Sequence, residues 1–97
     1  MTIAKETSGN TLTVRLDGRL DTITSPDLEQ ALSDLSGVAH LVLDFAGISY
    51  ISSAGLRVLL ALQKNMGRQG DMVVRHVDPM VMEVLEMSGF VDILTIE

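Results

Sequence analysis

Two adjacent serines, Ser52 and Ser53, stand where an apolar segment meets a helix-like segment, in the stretch Tyr50-Ile-Ser-Ser-Ala-Gly-Leu-Arg-Val-Leu-Leu60. A hydroxyl at such a corner can cap the helix, act as a nucleophile or accept a phosphoryl group. We place Ser53 at the cap, where its Oγ lies beside the free backbone N–H groups of residues 54–56. Because helix N-termini favour anions, the fold would tolerate a phosphate on Ser53. Capping is nevertheless the simpler interpretation of the corner alone.

Patterns that would indicate catalysis or metal binding are missing around these serines. A serine hydrolase elbow, G-x-S-x-G, needs a glycine where this sequence has Ile51, and both histidines, His40 and His76, fall in predicted strands. A P-loop needs a lysine directly after Gly55, where Leu56 stands. The chain has no cysteine, and two isolated histidines do not make a metal site. We therefore expect a binding protein and not an enzyme, with no cofactor and no metal.

Composition limits the class of partner and the compartment. A chain of 97 residues, 46% of them hydrophobic, is sufficient for one compact domain spanning residues 1–97. Its 7 basic and 13 acidic residues give a net charge of −6, which disfavours binding to nucleic acid and to anionic membranes. No apolar run approaches the roughly 20 residues that cross a bilayer, and the first residues lack a signal-peptide pattern. We expect a cytoplasmic location.

Hydrophobic periodicity predicts five strands and three helices in an α/β arrangement. The predicted strands cover residues 3–7, 11–17, 40–45, 72–76 and 93–96. The first helix is capped by Ser25 and carries apolar positions up to Leu35, the second runs from about Ser53 to Gly67, and the third follows the Asp78-Pro79 cap and ends near Gly89. Strand 40–45 is almost entirely apolar, which suits a strand covered on both faces. Strands separated by helices should be parallel, through right-handed crossovers.

Apolar residues of the second helix cover an arc of roughly 200°, wider than the roughly 100° stripe that packing on a sheet needs. The margin is either an exposed partner surface or a contact with another helix. Met82 of the third helix falls among Glu83 and Glu86, where it is either an adaptable contact residue or an unremarkable exposed methionine.

Several segments together resemble one known family. The stretch Leu43-Asp-Phe-Ala-Gly-Ile-Ser-Tyr-Ile-Ser-Ser-Ala-Gly-Leu-Arg-Val-Leu-Leu60 resembles the signature of STAS domains, specifically the single-domain anti-sigma-factor antagonists of bacteria. The segments Gly18-Arg-Leu-Asp21, Gly70-Asp-Met-Val-Val74 and Met87-Ser-Gly-Phe90 are similar to further elements of that family, in the same order. The resemblance implies a STAS fold: a four- to five-stranded mixed sheet with helices packed mainly on one side.

The resemblance also implies a switch. In the family, the unphosphorylated antagonist binds a GHKL-type serine kinase that is also the anti-sigma factor, the kinase phosphorylates one serine, and a PP2C-type phosphatase restores binding. Matching the motif places the acceptor at Ser53. Ser52 stands where the family often has Asp, and it is a second, weaker candidate. Asp21 matches an acidic residue near the acceptor; the alternative is that its side chain stabilises the loop before the first helix.

We therefore expect an anti-sigma-factor antagonist that acts as a monomer without nucleic acid, membrane or cofactor. The residues expected to contact the partner are Asp21, Thr22, Ser52, Ser53, Ala54, Gly55, Leu56 and Arg57. The alternative is a scaffold subunit of a transporter or signalling assembly, with no phosphorylation cycle.

Overall fold

A five-stranded sheet runs through the computed structural model, which describes residues 1–97. The strands are β1 (Thr2–Ser8), β2 (Thr11–Leu20), β3 (His40–Ile51), β4 (Asp71–Arg75) and β5 (Thr95–Ile96). The helices are α1 (Ser25–Ala31), α2 (Ser53–Met66) and α3 (Pro79–Met87), followed by one 3₁₀ turn at Phe90–Asp92. The order of elements is the one predicted from the sequence.

The spatial order of the strands is the same as their order in the chain. β1 pairs antiparallel with β2 through a hairpin, while β2, β3, β4 and β5 are mutually parallel. Each parallel step is bridged by one helix and proceeds in the same direction across the sheet, so right-handed crossovers place all three helices on one face. The mixed five-stranded sheet with helices on one side confirms the predicted fold class.

The hydrophobic core lies between that face and the helices. In β3, Leu41, Leu43 and Phe45 are completely buried in the core, whereas Val42 lies outside the core cluster and Asp44 is half-buried and pairs with His76. Val42 lies on the face of the sheet opposite the helices and is nevertheless only 8% exposed. The prediction that this strand is covered on both faces therefore holds at Val42 and fails at His40, which is exposed.

The first helix begins and ends differently from the prediction. Its N-cap is Thr24, whose carbonyl oxygen accepts the first helical bonds from the backbone N–H groups of Asp27 and Leu28. The prediction that Ser25 caps this helix was therefore wrong. Ser25 is the first helical residue, and it is buried. The helix ends at Ala31. The polar residues that follow favour a turn, in which the Asp34 carboxylate accepts the backbone N–H of Ser36 at 3.1 Å.

Strands β2 and β3 both extend beyond the predicted limits, to Leu20 and Ile51. The alternation of polar and apolar residues that marks a strand is interrupted in β2, because register shifts occur between Arg15 and Asp17 and again after Gly18. Gly18 has a φ of 117°, which favours glycine. These extensions place Leu20 and Ile51 side by side, next to the two serines.

Two further strand boundaries, near the carboxyl terminus of the chain, differ from the prediction. β4 ends at Arg75, and His76, which was predicted inside it, has a left-handed φ of 59°. The last strand is only Thr95–Ile96, because the backbone N–H groups of Ile93 and Leu94 donate to the carbonyl oxygen of Phe90, in the 3₁₀ turn before it. The third helix is capped as predicted, because the Asp78 carboxylate accepts the backbone N–H of Met80 at 2.9 Å.

Candidate functional site

The loops that leave β2 and β3 meet at one edge of the sheet, because parallel strands present their carboxyl ends together. Leu20 and Ile51, the last residues of the two strands, are paired, and the backbone N–H of Ser52 donates to the carbonyl oxygen of Leu20 at 2.9 Å. The loop containing Asp21 therefore lies beside the first turn of α2. We call this region the carboxyl edge; it contains residues 20–25 and 50–57 and the start of α3.

The two serines at this edge have different environments. Ser52 is extended, with φ −104° and ψ 176°, and its carbonyl accepts from Leu56 N, so Ser52 is the N-cap and Ser53 is the first helical residue. The prediction that Ser53 is the cap was wrong by one position. The Oγ of Ser52 makes no capping bond and is buried without a hydrogen-bond partner, whereas Ser53 is exposed. The Oγ of Ser52 is therefore covered in the fold, whereas Ser53 lies at the surface.

Asp21 organises the loop beside these serines. Its Oδ1 accepts the backbone N–H of Ile23 at 3.0 Å and of Thr24 at 3.1 Å, and its Oδ2 lies 3.6 Å from Arg19 Nε. The Thr24 hydroxyl accepts the backbone N–H of Asp21, and two acceptors lie within its reach as a donor, the carbonyl oxygen of Arg19 at 2.6 Å and Asp21 Oδ1 at 3.2 Å. The loop-stabilising role that was the alternative for Asp21 is therefore present in the structure; a contact with a partner stays a prediction.

The same bonds hold the pKa of Asp21 below its ordinary value. The backbone N–H of Thr24 is the main cause, partial burial opposes it, and the N–H of Ile23, the Thr24 hydroxyl and the charge of Arg19 add to the lowering. A carboxyl with a depressed folded-state pKa stabilises the fold above its unfolded-state pKa. That contribution is lost as the pH falls through the folded-state pKa.

We predict that Asp21→Asn lowers the thermal midpoint of unfolding near neutral pH and that the difference from the parent shrinks as the solution is acidified from about pH 6 to about pH 3. Asparagine keeps an acceptor oxygen but loses the charge that strengthens these bonds. Thermal unfolding followed by circular dichroism across that pH range measures the effect. Asp17→Asn, at an exposed carboxylate, is the control, and a difference for Asp21→Asn that does not change with pH would contradict the assignment.

The other residues expected to contact a partner occupy the first turns of α2 and the neighbouring loop. Thr22 and Arg57 are exposed, and Ala54 and Leu56 are half-buried. Gly55 is buried, since a Cβ there would lie 2.8 Å from Leu20 Cγ. Gly55 therefore lets α2 approach the end of β2 closely, and it presents no side chain to the surface.

Three exposed apolar side chains at this edge were missed by the sequence reasoning. Ile23 is 84% exposed, Met80 74% and Tyr50 41%. Ile23 stands between two threonines in a polar loop, and an isolated apolar residue in such a loop is a sequence signal of an exposed apolar side chain. The guanidinium of Arg19 lies over the ring of Tyr50, with its Cζ 4.1 Å from the ring centroid, as in a cation–π interaction. Tyr50 and Met80 line the same apolar groove, and exposed apolar side chains that lie together are typical of protein-binding surfaces.

The predicted apolar margin of α2 is half-exposed at Leu56 and Leu60. Met82 is half-buried, while Met80 on the same helix is exposed. The adaptable methionine at the carboxyl edge is therefore Met80.

Both histidines interact with aspartates and neither interacts with the serines. His40 Nδ1 lies 2.9 Å from Asp71 Oδ1, and His76 Nδ1 lies 3.0 Å from Asp44 Oδ1. No group of three or more potential metal ligands converges in the structure. None of the helices is long and apolar enough to span a bilayer.

Comparisons with known proteins agree with this architecture. A protein-family model described as the STAS domain matches residues 2–97. BtrV of Bordetella bronchiseptica, described as a candidate anti-sigma factor antagonist, is 37% identical over 93 residues, covering 84% of this chain and 80% of BtrV.

Two solved structures share the fold. An anti-sigma factor antagonist from Mycobacterium paratuberculosis superposes with a TM-score of 0.86 at 24% identity, covering 98% of this chain and 83% of the other. The Bacillus cell fate determinant SpoIIAA, in its phosphorylated form, superposes with a TM-score of 0.76 at 19% identity, covering 99% of this chain and 91% of the other. With its sheet order, its one-sided helices and a family match over almost its whole length, the chain belongs to the STAS domain family.

Proposed function

We propose that the protein is an anti-sigma-factor antagonist that a single phosphate on Ser53 switches off. The observation that carries the proposal is the contrast between the two serines at the carboxyl edge. The hydroxyl of Ser53 is exposed on the first turn of α2, whereas that of Ser52 is buried. The relative BtrV, described as a candidate antagonist, and the existence of SpoIIAA in a phosphorylated form support the same function.

In the unmodified protein, the carboxyl edge binds a GHKL-type serine kinase that is also the anti-sigma factor. Ile23, Tyr50 and Met80 supply apolar contact area on this surface, and Thr22, Ser53 and Arg57 supply polar groups. Binding sequesters the kinase and leaves the sigma factor free.

Phosphorylation of Ser53 ends the interaction by charge and bulk. The phosphate adds about −1.5 to −2 charges in the middle of the contact surface, where a partner must exclude water. The domain itself tolerates the group, since the first turn of α2 contains no acidic residue and its N–H groups favour an anion. A PP2C-type phosphatase removes the phosphate and restores binding.

The protein acts by binding and not by catalysis, in the cytoplasm, as a monomer. The edges of the sheet support the monomer: β5 has only two residues, and β1 carries Lys5 and Glu6 at its centre. Short or charged edge strands discourage pairing with a second sheet.

The test is phosphorylation by the cognate kinase with ATP, followed by peptide mass spectrometry of the parent, Ser53→Ala and Ser52→Ala proteins. We expect one phosphate on residue 53 in the parent and in Ser52→Ala, and none in Ser53→Ala. Phosphate on Ser52, or undiminished labelling of Ser53→Ala, would contradict the assignment of the acceptor.

A further inference from the structure

One cation lies within reach of the proposed acceptor on the same helix. Ser53 and Arg57 are four residues apart on α2, which places them about 40° from each other around the helix axis and one turn apart along it. Both are exposed. Side chains at this spacing contact each other, and an anion that precedes a cation by four residues is the more favourable order.

Arg57 has no carboxylate partner in the unmodified protein. Arg15, Arg19 and Arg75 make ion pairs with Glu6, Asp21 and Glu97, respectively, whereas Arg57 makes none. Its guanidinium is therefore available to a new anion without first breaking an existing pair.

The surroundings of Arg57 add a second observation. Arg57 lines a shallow cavity of about 230 Å³ between the first turns of α1 and α2, together with Thr22, Ser25, Glu29 and Ala54. Ser25 is only 3% exposed, and its hydroxyl has no hydrogen-bond partner. Glu29 is the one carboxylate on this wall, and it forms no ion pair with Arg57. The wall next to Ala54, the neighbour of the acceptor, thus carries a guanidinium that no carboxylate pairs with.

We propose that Arg57 is the intramolecular counter-ion of the phosphoryl group on Ser53. Its planar guanidinium can bind two phosphoryl oxygens at once and hold the modified side chain against the first turn of α2. The inference rests on the proposed function, because it concerns the modified form of the same serine. Its consequence is a reversal of local charge: a free cation in the unmodified surface becomes a pair with net negative charge, so modification removes a contact group as well as adding a repulsive one.

The experiment uses the full chain with phosphoserine incorporated genetically at position 53, so no kinase is needed. The ³¹P resonance is titrated with pH in the parent, Arg57→Gln and Arg57→Lys proteins. We expect the titration midpoint of the parent to lie about 0.3 pH unit below that of Arg57→Gln, with Arg57→Lys between them, because a nearby cation stabilises the dianion. The Arg57 Nε–H proton resonance of the parent should also move downfield on phosphorylation.

Lys64→Gln is the matched control, because it removes a positive charge from the same exposed side of α2 but too far along the helix to touch the phosphate. Equal midpoints in the parent and Arg57→Gln, an equal shift in Lys64→Gln, or an unmoved Arg57 Nε–H resonance would overturn the pairing. If the pairing holds but the kinase does not label Ser53, the proposed function fails while this inference stands. If the kinase labels Ser53 but the titration midpoints of the parent and Arg57→Gln are equal, the pairing fails while the proposed function stands.

Discussion

Ser53→Asp is expected to weaken binding to the partner kinase by at least about tenfold, which corresponds to about 1.4 kcal/mol of binding free energy. The carboxylate introduces a fixed negative charge into the centre of the carboxyl edge, where Ile23 and Met80 would otherwise be covered by the partner. The thermal midpoint should stay within a few degrees of the parent or rise slightly, since an acidic residue at the start of a helix contributes about 0.3–1 kcal/mol. Isothermal titration calorimetry and thermal unfolding measure the two quantities.

The matched control is Ser36→Asp, which places the same charge in an exposed turn before β3, at the opposite edge of the sheet. It should leave binding unchanged. Unaltered binding by Ser53→Asp would contradict the switch and favour a constitutive scaffold subunit. Loss of binding together with a large fall in the thermal midpoint would show that the substitution acts on the fold and not on the contact surface.

Gly55→Ala is expected to lower the free energy of unfolding by about 1–2 kcal/mol. A Cβ at this position would lie 2.8 Å from Leu20 Cγ and 2.9 Å from both Ile51 Cγ1 and the carbonyl oxygen of Leu20. Three contacts this short, one of them with a backbone oxygen, place the cost of overpacking in the upper half of its usual range, about 2–3 kcal/mol. The better helix propensity of alanine offsets about 1 kcal/mol of it. The same carbonyl holds Ser52 N, so relief of the clash would displace the first turn of α2 and weaken kinase binding as well.

Urea denaturation of Gly55→Ala and Gly67→Ala tests this account. Gly67 follows the same helix at helical angles, φ −61° and ψ −18°, and its nearest neighbours are carbonyl oxygens one turn back. Gly67→Ala should therefore be neutral or slightly stabilising, by up to about 1 kcal/mol. A Gly55→Ala protein as stable as the parent would show that the contact between α2 and β2 is looser than the structure indicates.

The order of elements and the fold class were predictable because apolar periodicity and the Asp78-Pro79 cap are local signals. The limits of β2 and β3 were not, because irregular pairing around Gly18 interrupts the alternation in β2. A strand's length depends on its partner as well as on its own residues. The apolar residue Val42 lies on the face opposite the helices although it is buried, and only the positions of the helices show which face it occupies.

The site could be predicted in outline but not in its details. The resemblance to the family puts the proposed acceptor at Ser53, yet the sequence cannot distinguish a buried from an exposed hydroxyl in two adjacent serines. That distinction depends on Ile51 continuing the strand, which makes Ser52 the cap. The exposure of Met80 could not be predicted either, because the phase of a helix does not show whether a neighbouring loop covers a given side chain.

The most direct test of the central claim is the affinity of the purified kinase for the unmodified full chain and for the same chain carrying genetically incorporated phosphoserine at position 53, measured by calorimetry under identical conditions. The account predicts a complex with the unmodified protein and a loss of affinity of at least about tenfold with the phosphorylated one. Equal affinity for the two forms would contradict it.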